Sequence, residues 1–162
     1  MGQSRNVSPW SLARFYQRLS APMRARIISL ALFLGTGTVL AIAMWLTPAP
    51  EGHGTHLQLG LYQCTFLTAT GYPCPVCGAT TTFTLWAHLH PLLGIINQPF
   101  ASALFLLTAG TFGVSTVELV SPRGRWDKIL HFVDVYELRL AVGFLVLMCG
   151  SWLYKTWLMG LL

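Results

Sequence analysis

Cysteines stand at positions 64, 74, 77 and 149, and the first three share one uncharged stretch of the chain. Cys74-Pro75-Val76-Cys77-Gly78 is a CxxC with a proline inside it. That spacing serves two kinds of chemistry. If Cys77 lies in the first turn of a helix, backbone amides favour its thiolate and the neighbouring thiol forms a reversible disulfide. Two thiolates at this spacing are also half of a tetrahedral zinc or iron site. Covalent c-type haem needs histidine directly after the second cysteine, and Gly78 excludes it.

A metal needs more ligands: Cys64 could be a third, and His88 or His90 a fourth. Ala79–His90 reads as one helix, and along it Cys77 and His88 would be separated by a rise of about 16 Å, too far to share an ion. His53 and His56 could fold back instead. His88 and His90, with Trp86 beside them, could also hold a haem or a pigment, although polar anchoring at a membrane surface ranks first for such histidines. A structural turn, or a disulfide joining Cys74 to Cys77 or Cys64 to one of them in an oxidising compartment, ranks ahead of redox activity, and redox activity ahead of metal. Cys149 reads as packing in a span and His131 as interfacial.

The elements that must position these residues follow from composition. Of 162 residues, 54% are hydrophobic and only 9% charged, against about 25% charged in an ordinary soluble domain. That deficit excludes disorder, a nucleic-acid-binding tail and an ordinary water-soluble enzyme. Ile27–Leu46 is about 20 residues without a charge, enough for about 30 Å of helix, and Pro48 and Pro50 end it. Phe100–Leu119 reads as a second span, with Glu118 near its end and reaching water. Residues 138–154 read as a third, with Trp152, Tyr154 and Trp157 as an aromatic anchor, and 128–139 as an interfacial helix leading into it. The expected fold is therefore all-α: three transmembrane helices, plus an interfacial or re-entrant helix after the CPVCG turn.

Charge orders these spans. Arg5, Arg14, Arg18, Arg24 and Arg26 precede the first, and Arg123, Arg125, Lys128 and Arg139 flank the polar stretch 121–137. Between Leu46 and Phe100 there is no Lys or Arg, and Glu51 is the only acid. The positive-inside rule then places the N-terminus and 121–137 in the cytoplasm and 47–97 outside. Residues 1–26 form a basic N-terminal region in which Trp10–Leu19 suits an amphipathic surface helix, and 27–162 form one membrane domain.

The stretch Cys64-x-Phe66 through Thr70-Gly71-Tyr72-Pro73-Cys74-Pro75-Val76-Cys77-Gly78-Ala79-Thr80, with Gln98-Pro99 downstream, resembles a family of small bacterial membrane proteins, the domain-of-unknown-function family 2752. The likeness covers roughly residues 60–120. It departs from the family pattern at Thr81, where arginine is usual, at Leu89-His90, where Gly-Asp is usual, and at Gln98 in place of Asn. The resemblance implies residence in a bacterial inner membrane, with Pro75, Gly78, Thr80, Gln98 and Pro99 as structural turn residues.

No nucleotide loop, intramembrane charge relay or nucleophile–base pair is legible, so no catalytic residue is assigned. The function expected from sequence is that of a non-catalytic accessory or scaffold subunit, with the bilayer and other membrane proteins as partners and no nucleic acid. A membrane thiol–disulfide oxidoreductase using Cys74 and Cys77 is one rival. A metal- or pigment-binding subunit using Cys64, Cys74, Cys77, His88 and His90 is the other. The sequence requires no cofactor, though zinc, iron or a pigment would fit the second rival.

Overall fold

The computed structural model describes residues 20–161. The amphipathic segment expected at Trp10–Leu19 lies outside them. The described residues contain helices and turns and no strand.

Helix α1 runs Ala21–Trp45, beginning ahead of the expected residue 27. Pro22 sits in its first turn, where the missing N–H costs nothing, and the Met-Arg-Ala-Arg run that follows favours helix. It ends where Leu46 turns extended ahead of Pro48. Helix α5 runs Pro99–Val120 and again opens on proline. The two pack side by side, Phe33 stacking on Phe112 with ring centroids 4.9 Å apart. Gly37 permits this approach, because a Cβ there would lie 3.1 Å from the Phe112 ring. Their threonines return hydroxyl protons to the preceding turn, Thr36 to the Leu32 carbonyl and Thr108 to that of Leu104. An apolar helix thereby keeps its hydroxyl groups satisfied without water. Pro22–Trp45 and Pro99–Val120 are long and apolar enough to cross a membrane by length and composition.

Helix α6, Arg125–Leu158, is 34 residues long, or about 51 Å. The segments expected as a third span and as an interfacial helix form one continuous rod in it, and α6 is not among the helices long and apolar enough to cross a membrane. Nothing breaks the chain between them, since 125–142 holds neither proline nor glycine. Through 127–147 the helix is exposed, and its polar ties lie near its two ends. Trp126 donates to Ser29 Oγ at 3.0 Å near the start. Near the finish, Ser151 Oγ accepts the Phe100 amide at 3.2 Å and Tyr154 donates to the Ile96 carbonyl at 2.8 Å.

Glu118 does not reach water. It is fully buried, one carboxylate oxygen accepting the Arg123 and Gly124 amides and the other pairing with Arg125 at 2.8 Å. The turn between α5 and α6 folds back over the carboxylate and supplies the donors that the sequence reading assigned to solvent.

Residues 47–98 form a layer of short helices across one end of the α1–α5 pair. A 3-10 turn spans Thr55–Leu59, α2 spans Thr65–Thr70, α3 spans Ala79–Ala87 and α4 spans Pro91–Asn97. The single helix expected over Ala79–His90 therefore stops three residues early. Leu89 takes φ of +61°, and Pro91 bars His90 from helical backbone. The chain restarts with Pro91 in the first turn of α4.

Candidate functional site: a three-thiol cluster

Three elements bring the cysteines together. Cys64 is the residue before α2, and Cys74 opens the turn that Cys77 closes, with the Cys77 amide donating to the Cys74 carbonyl at 2.9 Å. Gly78 then caps α3 at φ +86°, a backbone that only glycine adopts without strain. Cys77 accordingly sits before the helix cap, not within the first turn.

The turn is held from outside by two long-range hydrogen bonds. Gln98 Nε2 donates to the Pro75 carbonyl at 2.8 Å, and Trp152 Nε1 donates to the Pro73 carbonyl at 2.7 Å. Both carbonyls belong to residues that break regular structure, so side chains supply the donors that a ladder or helix would otherwise give. Gln98 is fully buried and its Oε1 has no partner. Pro99 opens α5, and Thr80 lends its carbonyl to Thr84 Oγ1. The five residues expected as structural thus lie in or beside this turn.

The thiols differ sharply. The Leu67 amide, in the first turn of α2, is the main cause that holds Cys64 below the ordinary thiol range; burial opposes it, and the Cys74 thiol assists through a side-chain hydrogen bond. Cys74 is pushed up to about 11, first by burial and then by its closeness to Cys64. Cys77, 5% exposed, is also raised by burial, with the charge of Lys155 working against that rise. The Cys74 side chain hydrogen-bonds with both Cys64 and Cys77, so it stands at the centre of the cluster.

Cys64 and Cys77 line a cleft of about 310 Å³ together with Glu51, His53, His56 and Leu67. His53 Nδ1 lies 3.0 Å from the Glu51 carbonyl, and His56 Nε2 lies 3.1 Å from that of Tyr62. The two histidines proposed to fold back do reach the thiol cleft. His88 and His90 do not: they lie beyond the far end of α3, where His88 Nδ1 approaches the Thr84 carbonyl at 2.9 Å. Among the described residues, no group of three His, Cys, Asp or Glu side chains is arranged to hold a metal ion. Cys149 is exposed on α6.

Sequence reasoning passed over Lys155 and Asn97. Lys155 comes from the last turns of α6 and is 2% exposed, donating to Asn97 Oδ1 at 2.7 Å and to the Gly52 carbonyl at 3.2 Å. Asn97 in turn donates to Thr82 Oγ1 at 2.9 Å and to the Gly78 carbonyl at 3.3 Å. A legible signal existed: Lys155 is a cation at the end of α6 that the charge rule places away from the other basic residues.

The described residues are thus all-helical, with two membrane-length apolar helices among them and a thiol cluster layered over one end of the pair. No protein-family model, no curated protein and no solved structure matches the chain.

Proposed function

We propose that the chain is a multi-pass inner-membrane protein whose layer 47–98, on the extracytoplasmic side, carries out thiol–disulfide exchange. The third span is the apolar part of α6, and the basic residues at the opposite end mark the cytoplasmic face. The contact between Cys64 and Cys74, with their ionisation driven apart, carries this reading.

Cys64 is the attacking thiolate. It bonds to one sulfur of a partner protein's disulfide, the partner's S–S bond breaks, and the departing thiolate takes up a proton. Cys74 then gives its proton to solvent and attacks the Cys64 sulfur. The Cys64–Cys74 disulfide forms, and the second partner thiol leaves reduced. Two electrons pass from the pair to the partner's disulfide, and in reverse the same steps oxidise a partner dithiol. Attack by the thiol with the larger thiolate fraction is the ordinary course of such exchange.

Titration of the membrane-embedded chain in glutathione buffers, read by alkylation and mass spectrometry, tests it. A reversible Cys64–Cys74 disulfide is expected, and Cys74→Ser is expected to accumulate mixed disulfides at Cys64. A bond that resists strong reductant, or a titration that vanishes only with Cys77→Ser, overturns the assignment.

A second reading, an accessory subunit of a larger membrane complex, draws on the exposed middle of α6. Val135, Leu138, Val142 and Val146 stand open there, with no partner helix among the described residues. A monodisperse monomer without partners after mild-detergent purification argues against it.

A further inference from the structure

Beside the thiol cleft lies a larger cavity, about 520 Å³, whose lining includes Glu51, Leu93, Ile96, Asn97, Lys155 and Leu158. Two features of its charge stand out. Lys155 is buried, yet both of its hydrogen-bond acceptors are neutral oxygens. Taking an ammonium out of water costs several kcal/mol unless an anion stands against it. The Lys155 charge acts on Cys77, whose thiol burial pushes above the ordinary range. Glu51 lines the same cavity, but the ion pair found among the described residues is Arg125–Glu118, elsewhere. One cavity therefore presents a buried cation and an exposed carboxylate that do not pair with each other.

An ammonium has three protons to donate, and Lys155 spends two of them within the chain. The third is free for a ligand. The rest of the lining is largely apolar, and Leu93, Ile96 and Leu158 are half-exposed at its edge. Tyr154 and Trp157 flank Lys155 in sequence, the aromatic pattern of a membrane interface.

We infer that this cavity is a headgroup site for a zwitterionic aminophospholipid. The phosphate sits on Lys155, the primary ammonium reaches Glu51, and the acyl chains leave over Leu93, Ile96 and Leu158. The charge pattern selects the headgroup. Phosphatidylglycerol offers the phosphate but no cation for Glu51. Phosphatidylcholine offers a cation that cannot donate a hydrogen bond. The inference rests on the membrane placement proposed above and not on the thiol chemistry.

Native mass spectrometry of the full chain, released from vesicles of equimolar phosphatidylethanolamine, phosphatidylglycerol and phosphatidylcholine, tests it. Phosphatidylethanolamine is expected to be retained about tenfold over either competitor, equivalent to about 1.4 kcal/mol. Glu51→Gln, on an exposed side chain, is expected to bring phosphatidylethanolamine and phosphatidylglycerol to parity. Lys155→Met is expected to abolish retention of all three. Fatty acid or peptide adducts in place of phospholipid, equal retention by the wild type, a preference for phosphatidylglycerol, or a Glu51→Gln variant with unchanged selectivity overturns it. Alkali extraction of the same vesicles reports membrane insertion separately, so a soluble chain is told apart from an inserted chain that binds no lipid.

Discussion

Asn97 Oδ1 receives a 2.7 Å hydrogen bond from Lys155 Nζ across 58 residues of sequence, and this bond joins the thiol layer to the end of α6. Asn97 spends its amide protons on Thr82 and on the Gly78 carbonyl. One side chain therefore ties α6, the start of α3 and the residue after Cys77 into a single network. Gly52 is drawn in as well, because its carbonyl is the second acceptor for Lys155.

The network leaves no room at its glycines. A Cβ on Gly78 would fall on the Gly52 carbonyl oxygen, and one on Gly52 would fall on Asn97 Oδ1. Both glycines also hold positive φ, which alone costs a side-chain-bearing residue about 1–3 kcal/mol. Gly78→Ala is expected to lower the unfolding midpoint in detergent markedly. Gly71→Ala, at positive φ but with open space around it, is expected to show only the backbone cost. Equal midpoints for the two variants would mean that the close approach carries no energy.

The unequal thiols give a pH-dependent reactivity. Alkylation proceeds through the thiolate, so a lowered pKa moves reaction to lower pH and a raised one moves it higher. Cys64 is expected to react first, at a pH below that of an ordinary thiol, because the Leu67 amide favours its anion. Cys74 is expected to lag until the pH nears 11, where burial at last permits ionisation. Residue-resolved iodoacetamide labelling against pH checks this. A first-labelled Cys74 would reverse the roles assigned to the pair.

Much of this layout was legible in sequence, and the failures share a cause. The long apolar runs announced α1 and α5, because period and length are local properties. The proline at 91 is visible too, yet the sequence reads as helix through to His90, since Ala and Leu favour helix while the break depends on backbone geometry at Leu89. The CxxC spacing pointed to Cys74 and Cys77, but not to the contact that Cys64 makes with Cys74. That contact depends on where α2 turns the chain, which spacing alone does not encode. Lys155 escaped because a lysine near a span end ordinarily extends into water. Only the long-range approach of Asn97 and Gly52 shows that it turns inward.

The opposite end of the molecule relies on Glu118. Its carboxylate accepts two backbone amides of the turn and pairs with Arg125, with no solvent exposure. Truncation leaves those amides and part of the guanidinium without an acceptor, a loss of about 3–5 kcal/mol for a broken buried pair. Glu118→Ala is therefore expected to loosen the α5–α6 turn. Glu118→Gln keeps one acceptor oxygen and should lose less. Protease nicking between Ser121 and Gly124, faster in Ala than in Gln and slowest in the wild type, is the measurement. Equal rates in all three would show the turn held by other means.

Trp152 offers a way to reach the thiols from a distance. Its indole donates to the Pro73 carbonyl at 2.7 Å, one residue before Cys74. Trp152→Phe keeps an aromatic ring but deletes the donor, and a typical bond of this kind contributes about 1 kcal/mol. The turn around Cys74 should then open more often, exposing a thiol that is otherwise held back by burial. Cys74 alkylation at fixed pH is expected to rise roughly fivefold for that loss, while Cys64, fixed by α2, should change little. Gln98 holds the other carbonyl of the turn, that of Pro75, so Gln98→Met in the same background should raise the rate further. A Trp152→Phe variant in which Cys64 accelerates as much as Cys74 would mean that the whole layer, not the turn, depends on this bond.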